Sequence, residues 1–570
     1  MKKSKEKLPK ASRADFATGF HFIPLGGSEE FGVNFNLYAC DGKWMIFDCG
    51  IGFADHRFPG VDILLPDPKF IEDYKSDILG MVITHAHEDH VGAVPYLWPR
   101  LKCPIYCTKF TAAVLRAKMS EHPECKGAKI HIIDTEHELE LDPFKFQFIH
   151  VAHSVPQAVA TVIETQYGRV VHSGDWNLDP TPVIDKPTDE AAFRAAGEKG
   201  VLAYIGDSTN SPQAGRAGTE ADVVIGLEEV FRDAPGRILV TIFASNIGRV
   251  QSIARAAEKT GRSVCVLGRS LHRMTSVARD CGYLKDIQDF VSEEDVFMLP
   301  ADKTLFIVTG SQGEAQAALA RIARGDWREI KLGKGDTAVF SSKAIPGNEK
   351  EINAVKNHLS ASGVKIIDAK NARDMGHCIH ISGHPYRDEV MDMMSWVKPK
   401  AVIPVHGERM MLEAQAGIAR EMGVGQVLIP NNGSVIRLSG EKLEIIDHVP
   451  ARALAVEPNR IVSADHKGIA ERRKLQFSGA AHITVAIDGR GQMAAPPQVS
   501  LIGIIDHDDA AESEILEDIK QEIEDVLIEL DEDGISDNNE IQEDIRVACR
   551  KLLNEIFGFK PKVSVHLFRI

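Results

Sequence analysis

The stretch "MVITHAHEDHVGAVPYL", residues 81–97, constrains the chain more than any other: an apolar run ends in three histidines and two acids within the six positions from His85 to His90. His85 and His87 are two apart, so on an extended segment both rings point to the same side. Asp89 and His90 then fall where a helix would begin. Neutral imidazole binds zinc at about 2.0–2.1 Å and a carboxylate adds charge, so this set on a rigid strand-to-helix turn suits a divalent metal. A polar turn capped by an aspartate would account for a lone histidine but not for H-x-H-x-D-H. Polar residues also follow apolar runs at His153 in "VAHS", Asp175 in "HSGDWN" and His406 in "PVHGE", and strand ends are where sheet-based enzymes place their chemistry. Together these positions complete two metal shells, with His85, His87 and His153 on one ion, Asp89, His90 and His406 on the other, and Asp175 between them. Two zinc ions so placed would deprotonate a shared water near neutral pH and hold a phosphate or carbonyl oxygen.

With 570 residues the chain exceeds one ordinary core and is expected to form two or three domains. No apolar run approaches the roughly 20 residues that span a bilayer. The basic opening "MKKSKEKLPKASRADF" lacks the apolar stretch of about 7–15 residues that a secretion signal needs. The expected location is the cytoplasm, with no membrane partner. Nine scattered cysteines form no CxxC pair, which fits reduced, mostly buried thiols. The net charge of −16 is unevenly placed: from Asp506 to Asp544 eighteen acids face a single base, Lys520, so this segment carries −17 and the rest of the chain +1. A basic groove for nucleic acid is therefore compatible with the remainder.

Short runs rich in β-branched and aromatic residues, such as "FHFIPLGG", "FNLYAC" and "FKFQFIHVAHS", dominate the first two hundred residues and read as strands, with helices at about 107–120 and 188–199. From about 219, strands and helices alternate with glycine-rich turns, the pattern of a parallel α/β sheet. After 385 the strand-rich texture returns, so the second domain is inserted into the first. The expected division is a flexible basic N-terminus at 1–15, a first domain at 16–218 resumed at 385–450, an inserted domain at 219–384, a linker at 451–465 and a C-terminal α+β module at 466–570. In that module Ile515, Ile519, Ile523, Val526 and Leu530 recur at helical spacing between the strands "AAHITVAID" and "KVSVHLFRI".

Asp48 in "FDCG", the His85 to His90 cluster, His153, Asp175 and His406 resemble the motifs of the metallo-β-lactamase fold, an αββα sandwich. Asp207 in "GDSTN", His384 in "HISGH" and His406 match three positions of the β-CASP domain, which turns that scaffold into nucleases. With "FASNIGRVQ", "VLGRS", "VTGSQGE", "SSKAIPGNE" and "IPVHGE", the chain is similar to the bacterial ribonuclease J family, C-terminal module included. The resemblance implies a zinc-dependent RNase with 5′-to-3′ exonuclease activity that prefers 5′-monophosphate ends and with endonuclease activity on single-stranded RNA. Its work would be mRNA decay and rRNA maturation, by phosphodiester hydrolysis with a metal-bridging hydroxide. Two Zn2+ per subunit are implied, with Mn2+ or Mg2+ as alternative activators. So are a homodimer or homotetramer built through the C-terminal module and RNA-decay or ribosome-associated partners.

Asp175, Asp207 and His384 would form the catalytic set. Asp207 and Asp48 would orient the histidines and the metal-binding turn, and His384 would protonate the leaving 3′ oxygen. His380, Ile381, Ser382, Gly383 and His384 make one tight turn whose amides, hydroxyl and imidazoles suit a phosphate. Many relatives carry a small residue, Ser and Gln where Pro385, Tyr386 and Arg387 stand. Ser245, Asn246 and Arg249, then Arg269 and Ser270, then Ser311 and Gln312 lie at strand ends of the inserted domain, where parallel sheets open towards ligands. Some of them are expected to hold the 5′ phosphate, with Arg269 as a bidentate clamp. Three rival readings differ in class. A thioesterase or lactamase is disfavoured by the inserted domain, and a non-catalytic scaffold by the seven intact metal positions. A β-CASP nuclease acting on DNA would be separated by competition between matched RNA and DNA single strands.

Overall fold

The computed structural model describes residues 16–327, 329–506, 511–529 and 537–570. The basic segment 1–15, expected to be flexible, and Leu530 of the expected helical stripe lie outside them. Two compact units form, one of Met1–Gly52 with Leu64–Ala453 and one of Phe53–Ile63 with Leu454–Ile570. Among the described residues no helix is long and apolar enough to cross a membrane.

In the first unit an eight-stranded sheet and a seven-stranded sheet enclose a shared core. Strands such as Phe20–Gly26 and Phe144–His150 supply its aromatic residues because alternate side chains of a strand face one side. Phe20, Phe22, Tyr38, Phe47, Phe146, Phe148, Ile163 and Ile403 all pack there, and each such side chain contributes roughly 1.5–3 kcal/mol by leaving water. Helices Glu190–Glu198, Arg387–Val397 and Arg409–Glu421 cover the other face of the seven-stranded sheet, through Phe193, Val390, Met394 and Ile418 against Val171, Tyr204 and Val402. On the eight-stranded sheet the parallel strands Ile78–Ile83, Ile105–Cys107 and Ile130–Ile132 need crossovers. Helices Val94–Leu101 and Lys109–Met119 provide them. The result is the expected αββα sandwich.

The chain leaves this sandwich after strand Ala203–Asp207 and returns in strand Ala401–Val405. The two pair in parallel with Asp207 opposite Val405, so His406 follows directly beside Asp207. Between them lies a parallel sheet in the order Ser263–Leu267, Thr304–Val308, Ile238–Thr241, Thr337–Phe340 and Lys365–Asp368. Its first strand in sequence, Ile238–Thr241, is the middle one in space, so the connections run to both sides of it. The carboxyl ends of this strand and its two neighbours therefore form a topological switch point.

The second unit carries a three-stranded sheet in the order Met493–Ile502, Ala480–Ile487 and Lys562–Arg569. One face packs on helices Glu512–Glu529 and Asn538–Phe557 through Ile483, Val485, Ile519, Ile523, Ile545 and Leu553. The expected linker at 451–465 is a hairpin instead, with Ala453–Glu457 pairing antiparallel to Arg460–Ser463. Pro458 and Asn459 are good turn formers between two runs of β-branched and small apolar residues, which is why the segment pairs with itself.

Candidate metal centre

Every titratable residue of the proposed shells sits just past a strand end. His85 follows Ile78–Ile83, His153 follows Phe144–His150, Asp175 follows Gly168–His172 and His406 follows Ala401–Val405. Helix Glu88–Val91 starts inside the histidine cluster and carries Asp89 and His90. Asp48 and His406 hold left-handed backbone, with φ of 63° and 54°. Such strain in a non-glycine residue costs of order 1–3 kcal/mol and persists where the surroundings enforce it.

The side chains converge on one carboxylate. Asp175 Oδ2 lies 3.2 Å from His90 Nε2, 3.5 Å from His85 Nε2 and His406 Nε2, and 3.8 Å from His153 Nε2. His87 Nδ1 is 3.1 Å from His85 Nε2 and 3.0 Å from His153 Nε2. A tetrahedral ion with bonds of about 2.0–2.1 Å sets its ligand atoms about 3.3–3.4 Å apart, so these spacings fit a shared cation. Both oxygens of Asp175 are buried without a hydrogen-bond donor, a costly state unless a cation completes it. Two ligand sets share Asp175: His85, His87 and His153, then Asp89, His90 and His406. A third grouping, of Asp175 and His406 with Asp207 and His384, overlaps both.

The far nitrogens explain which atoms face the centre. His90 Nδ1–H donates to Asp48 Oδ2 (2.8 Å), His85 Nδ1–H to Thr84 Oγ1 (3.0 Å), His153 Nδ1–H to the Gly383 carbonyl (2.7 Å) and His406 Nδ1–H to Asn34 Oδ1 (3.0 Å). Each of these rings is thereby oriented with Nε2 toward the centre, and His90 Nε2 also lies 3.1 Å from Asn34 Nδ2. His87 is the reverse, since Ser154 Oγ sits 3.1 Å from its Nε2 and Nδ1 faces inward. Asp48 also accepts from Thr84 N and Thr84 Oγ1, which ties it to the turn that carries His85. Burial drives His85 and His87 well below the usual imidazole range and His153 down to about 4. They stand neutral, the form that ligates. Desolvation works against the charge on Asp175, but the imidazoles of His406, His90 and His384 hold it ionised. Asn34, Thr84 and Ser154 are absent from the sequence reading.

Next to this cluster, His384 Nδ1 is 2.8 Å from Asp207 Oδ2, and Thr209 N donates to Asp207 Oδ1 (2.9 Å). Desolvation opposes a charge on His384, but Asp207 and then Asp175 raise it to about 9. Ser382 Oγ accepts from Asn210 Nδ2 (2.6 Å) and from His384 N (3.2 Å). Gly383 leaves no space for a side chain, because a Cβ there would meet the His153 ring at 2.8 Å. Two assignments within and beside this turn are corrected. The Ile381 side chain belongs to the hydrophobic core of the inserted domain, and its carbonyl accepts from Arg249 Nη2 (3.4 Å), so it is a frame residue rather than a substrate contact. The Arg249 guanidinium is fully buried and spent internally. It donates to Glu220 (2.6 and 2.9 Å), Ser341 O (2.9 Å), Ser341 Oγ (2.8 Å) and His380 Nδ1 (3.0 Å), which removes it from the 5′-phosphate pocket.

Other pocket candidates divide in the same way. Asn246 Oδ1 caps helix Ile247–Lys259 by accepting from Arg249 N. Gln312 bridges two backbones, donating to Lys343 O (3.0 Å) and accepting from Ile345 N (2.8 Å), with Ser311 buried beside it. These three are engaged in the frame of the domain. Ser245 is part-exposed, while Arg269 and Ser270 are exposed at the start of helix Arg269–Cys281. The departing residues also have structural uses: Tyr386 N donates to Glu389 (2.8 Å), and Arg387 pairs with Glu421.

Known families match the chain in four stretches. Residues 29–268 match the metallo-beta-lactamase superfamily, 235–359 the ribonuclease J beta-CASP domain, 371–430 the Zn-dependent metallo-hydrolase RNA specificity domain and 467–570 the ribonuclease J C-terminal domain. The chain is 40% identical to the Ribonuclease J of Sinorhizobium meliloti over 96% of its own length and 97% of that protein. It is 35% identical to the Ribonuclease J of Mycolicibacterium smegmatis over 96% of each. A crystal structure of a protein of unknown function from Enterococcus faecalis V583 shares the fold, with a TM-score of 0.52 at 15% identity, covering 74% of this chain and 100% of that one. Full-length identity at this level, joined to a buried histidine and aspartate cluster built for metal, means that the chain belongs to the ribonuclease J family of metal-dependent ribonucleases.

Proposed function

We propose that the chain is a two-zinc ribonuclease that removes nucleotides from the 5′ end of single-stranded RNA, favouring a 5′-monophosphate, and also cuts such RNA internally. One ion would be held by His85, His87, His153 and Asp175 and the other by Asp89, His90, His406 and Asp175. Imidazole and carboxylate sets of this kind suit zinc, with Mn2+ or Mg2+ as alternative activators. Bound there, the ions would supply Lewis acidity and a nucleophile at neutral pH. The observation that carries the reading is Asp175, a doubly unsatisfied buried carboxylate ringed by four imidazole Nε2 atoms.

The chain's own residues would do the rest. His384 is tied to Asp207 through Nδ1, so its Nε2–H is left to protonate the 3′ oxygen as the P–O3′ bond breaks. Asp207 acts through His384 as a positioning residue. Ser382 Oγ accepts two hydrogen bonds and keeps its own proton to donate to a phosphate oxygen. His380 accepts from Arg249 at Nδ1 and has Nε2–H to give. Ser245, Arg269 and Ser270 would hold the terminal 5′ phosphate, with Arg269 as a bidentate clamp.

The test is metal analysis joined to degradation of a 5′-monophosphorylated RNA labelled at either end, run on the wild type and on His87→Ala. Two equivalents of zinc and mononucleotides released from the 5′ end, both reduced or lost in the variant, are expected. Cleavage that survives His87→Ala at the wild-type rate would overturn the site assignment. We also read the protein as cytoplasmic and as a homodimer or homotetramer assembled through the second unit. Free cysteines and the absence of a membrane-spanning helix among the described residues support the first point. The exposed Phe477, Ile502, Phe568 and Ile570 of that unit support the second.

A further inference from the structure

The motif "SSKAIPGNE" contains one cation, Lys343, whose role the chemistry above leaves open. It follows strand Thr337–Phe340 at the switch point of the inserted sheet, where open α/β sheets take ligands. The backbone around it is pinned on both sides. Ser341 O accepts from Arg249 Nη1 (2.9 Å) and Ser341 Oγ donates to Ile379 O (2.7 Å). Gln312 then holds Lys343 O (3.0 Å), Ile345 N (2.8 Å) and Asn348 Nδ2 (3.4 Å). A lysine on so rigid a loop is pre-placed rather than searching.

Lys343 Nζ donates to Asn210 Oδ1 (3.1 Å), and the amide nitrogen of the same Asn210 donates to Ser382 Oγ (2.6 Å) and to His384 O (3.4 Å). The ammonium is therefore one side-chain amide away from the turn that precedes the Asp207-paired His384. Among the described residues no carboxylate pairs with it. Although Lys343 is an exposed residue, local desolvation lowers its affinity for a proton, the state of a cation short of its anion.

We propose that Lys343 is an RNA-phosphate contact: it takes the backbone phosphate adjacent to the one held by Ser382, and Asn210 sets the spacing between the two. The inference rests on the reading of residues 380–384 as the turn that holds the substrate phosphate. Lys343→Met keeps the stem and removes the charge, while Lys343→Arg keeps the charge. In steady-state cleavage of a 5′-monophosphorylated single-stranded RNA across a salt series, Lys343→Met should raise KM several-fold with little change in kcat. It should also flatten the dependence of log(1/KM) on log salt by about 0.7, the contribution of one phosphate contact on a single strand. Lys343→Arg should keep the wild-type slope. A Lys343→Met slope equal to that of the wild type, or a loss confined to kcat, would overturn the proposal and leave Lys343 as a prop for Asn210. Ser382→Ala separates the two layers. If it changes neither constant, the reading of the turn fails, while the Lys343→Met slope still decides whether Lys343 meets a phosphate.

Discussion

His406 offers Nε2 to the centre only while its Nδ1–H stays bound to Asn34 Oδ1 at 3.0 Å. The same Asn34 donates from Nδ2 to the Asp89 carbonyl at 3.0 Å, so one side chain couples a ligand on one strand end to the turn that carries two others. Removing it with Asn34→Ala frees the ring to rotate and to change tautomer. Loss of such an orienting partner typically costs 10–100-fold in metal affinity. Zinc titration against a chromophoric chelator should therefore show one equivalent weakened by about that factor and the other unchanged, with Asn34→Asp keeping most of the affinity. Two equivalents bound as in the wild type would mean that Asn34 does not orient His406. Asp48, the histidines and Asp175 were legible in the sequence because only a few residue types ligate a metal or orient its ligands from a charged position. Asn34, Thr84 and Ser154 were not, since Asn, Ser and Thr fill ordinary turns everywhere, and only the folded chain puts residue 34 beside residue 406.

Helices Glu220–Arg232 and Ile247–Lys259 are joined through a buried ion pair, Arg249 Nε to Glu220 Oε1 at 2.6 Å and Nη2 to Oε2 at 2.9 Å. Ser252 Oγ adds a third donor to Glu220 (2.7 Å), and the remaining Arg249 nitrogen reaches Ser341 and His380. Arg249→Met would strand a buried carboxylate, and breaking such a pair costs about 3–5 kcal/mol. Denaturant unfolding should register that loss, and Arg249→Met combined with Glu220→Gln should recover part of it. A variant as stable as the wild type that lost its preference for 5′-monophosphate ends would instead return Arg249 to the phosphate pocket. In "NIGRV" an arginine looks the same whether it meets a phosphate or a buried glutamate, because the sequence does not reveal that Glu220 packs against it. Helix Val94–Leu101 was hidden for a different reason. Pro99 lies inside it and lowers its helical propensity, yet Leu97, Trp98 and Leu101 bury on one side and tertiary packing overrides the local preference.

The insertion of one domain into another was legible because the texture changes twice, and the strand after the insertion completes the sheet interrupted before it. The extent of the second unit was not, since Phe53–Ile63 joins Leu454–Ile570 across the intervening residues 64–453. Within that unit the segment 506–544 alone carries −17, against −16 for the whole chain, so the acidity is concentrated in a stretch that holds none of the metal ligands. Among the described residues its own sheet ends in Met493–Ile502 on one side and Lys562–Arg569 on the other, and the residues at 58% and 57% exposure on those strands are Ile502 and Phe568. Unpaired edges carrying exposed apolar side chains are templates for association. Deleting the chain beyond 453 would also strip Phe53–Ile63 of its own unit, so point changes test assembly more cleanly. Ile502→Asp with Phe568→Asp leaves the helix-packed face of the sheet untouched, since Ile483, Val485 and Leu501 face the other way. The double variant should sediment at a lower mass than the wild type at equal concentration while still binding zinc. An unchanged mass would exclude these two edge strands from the interface.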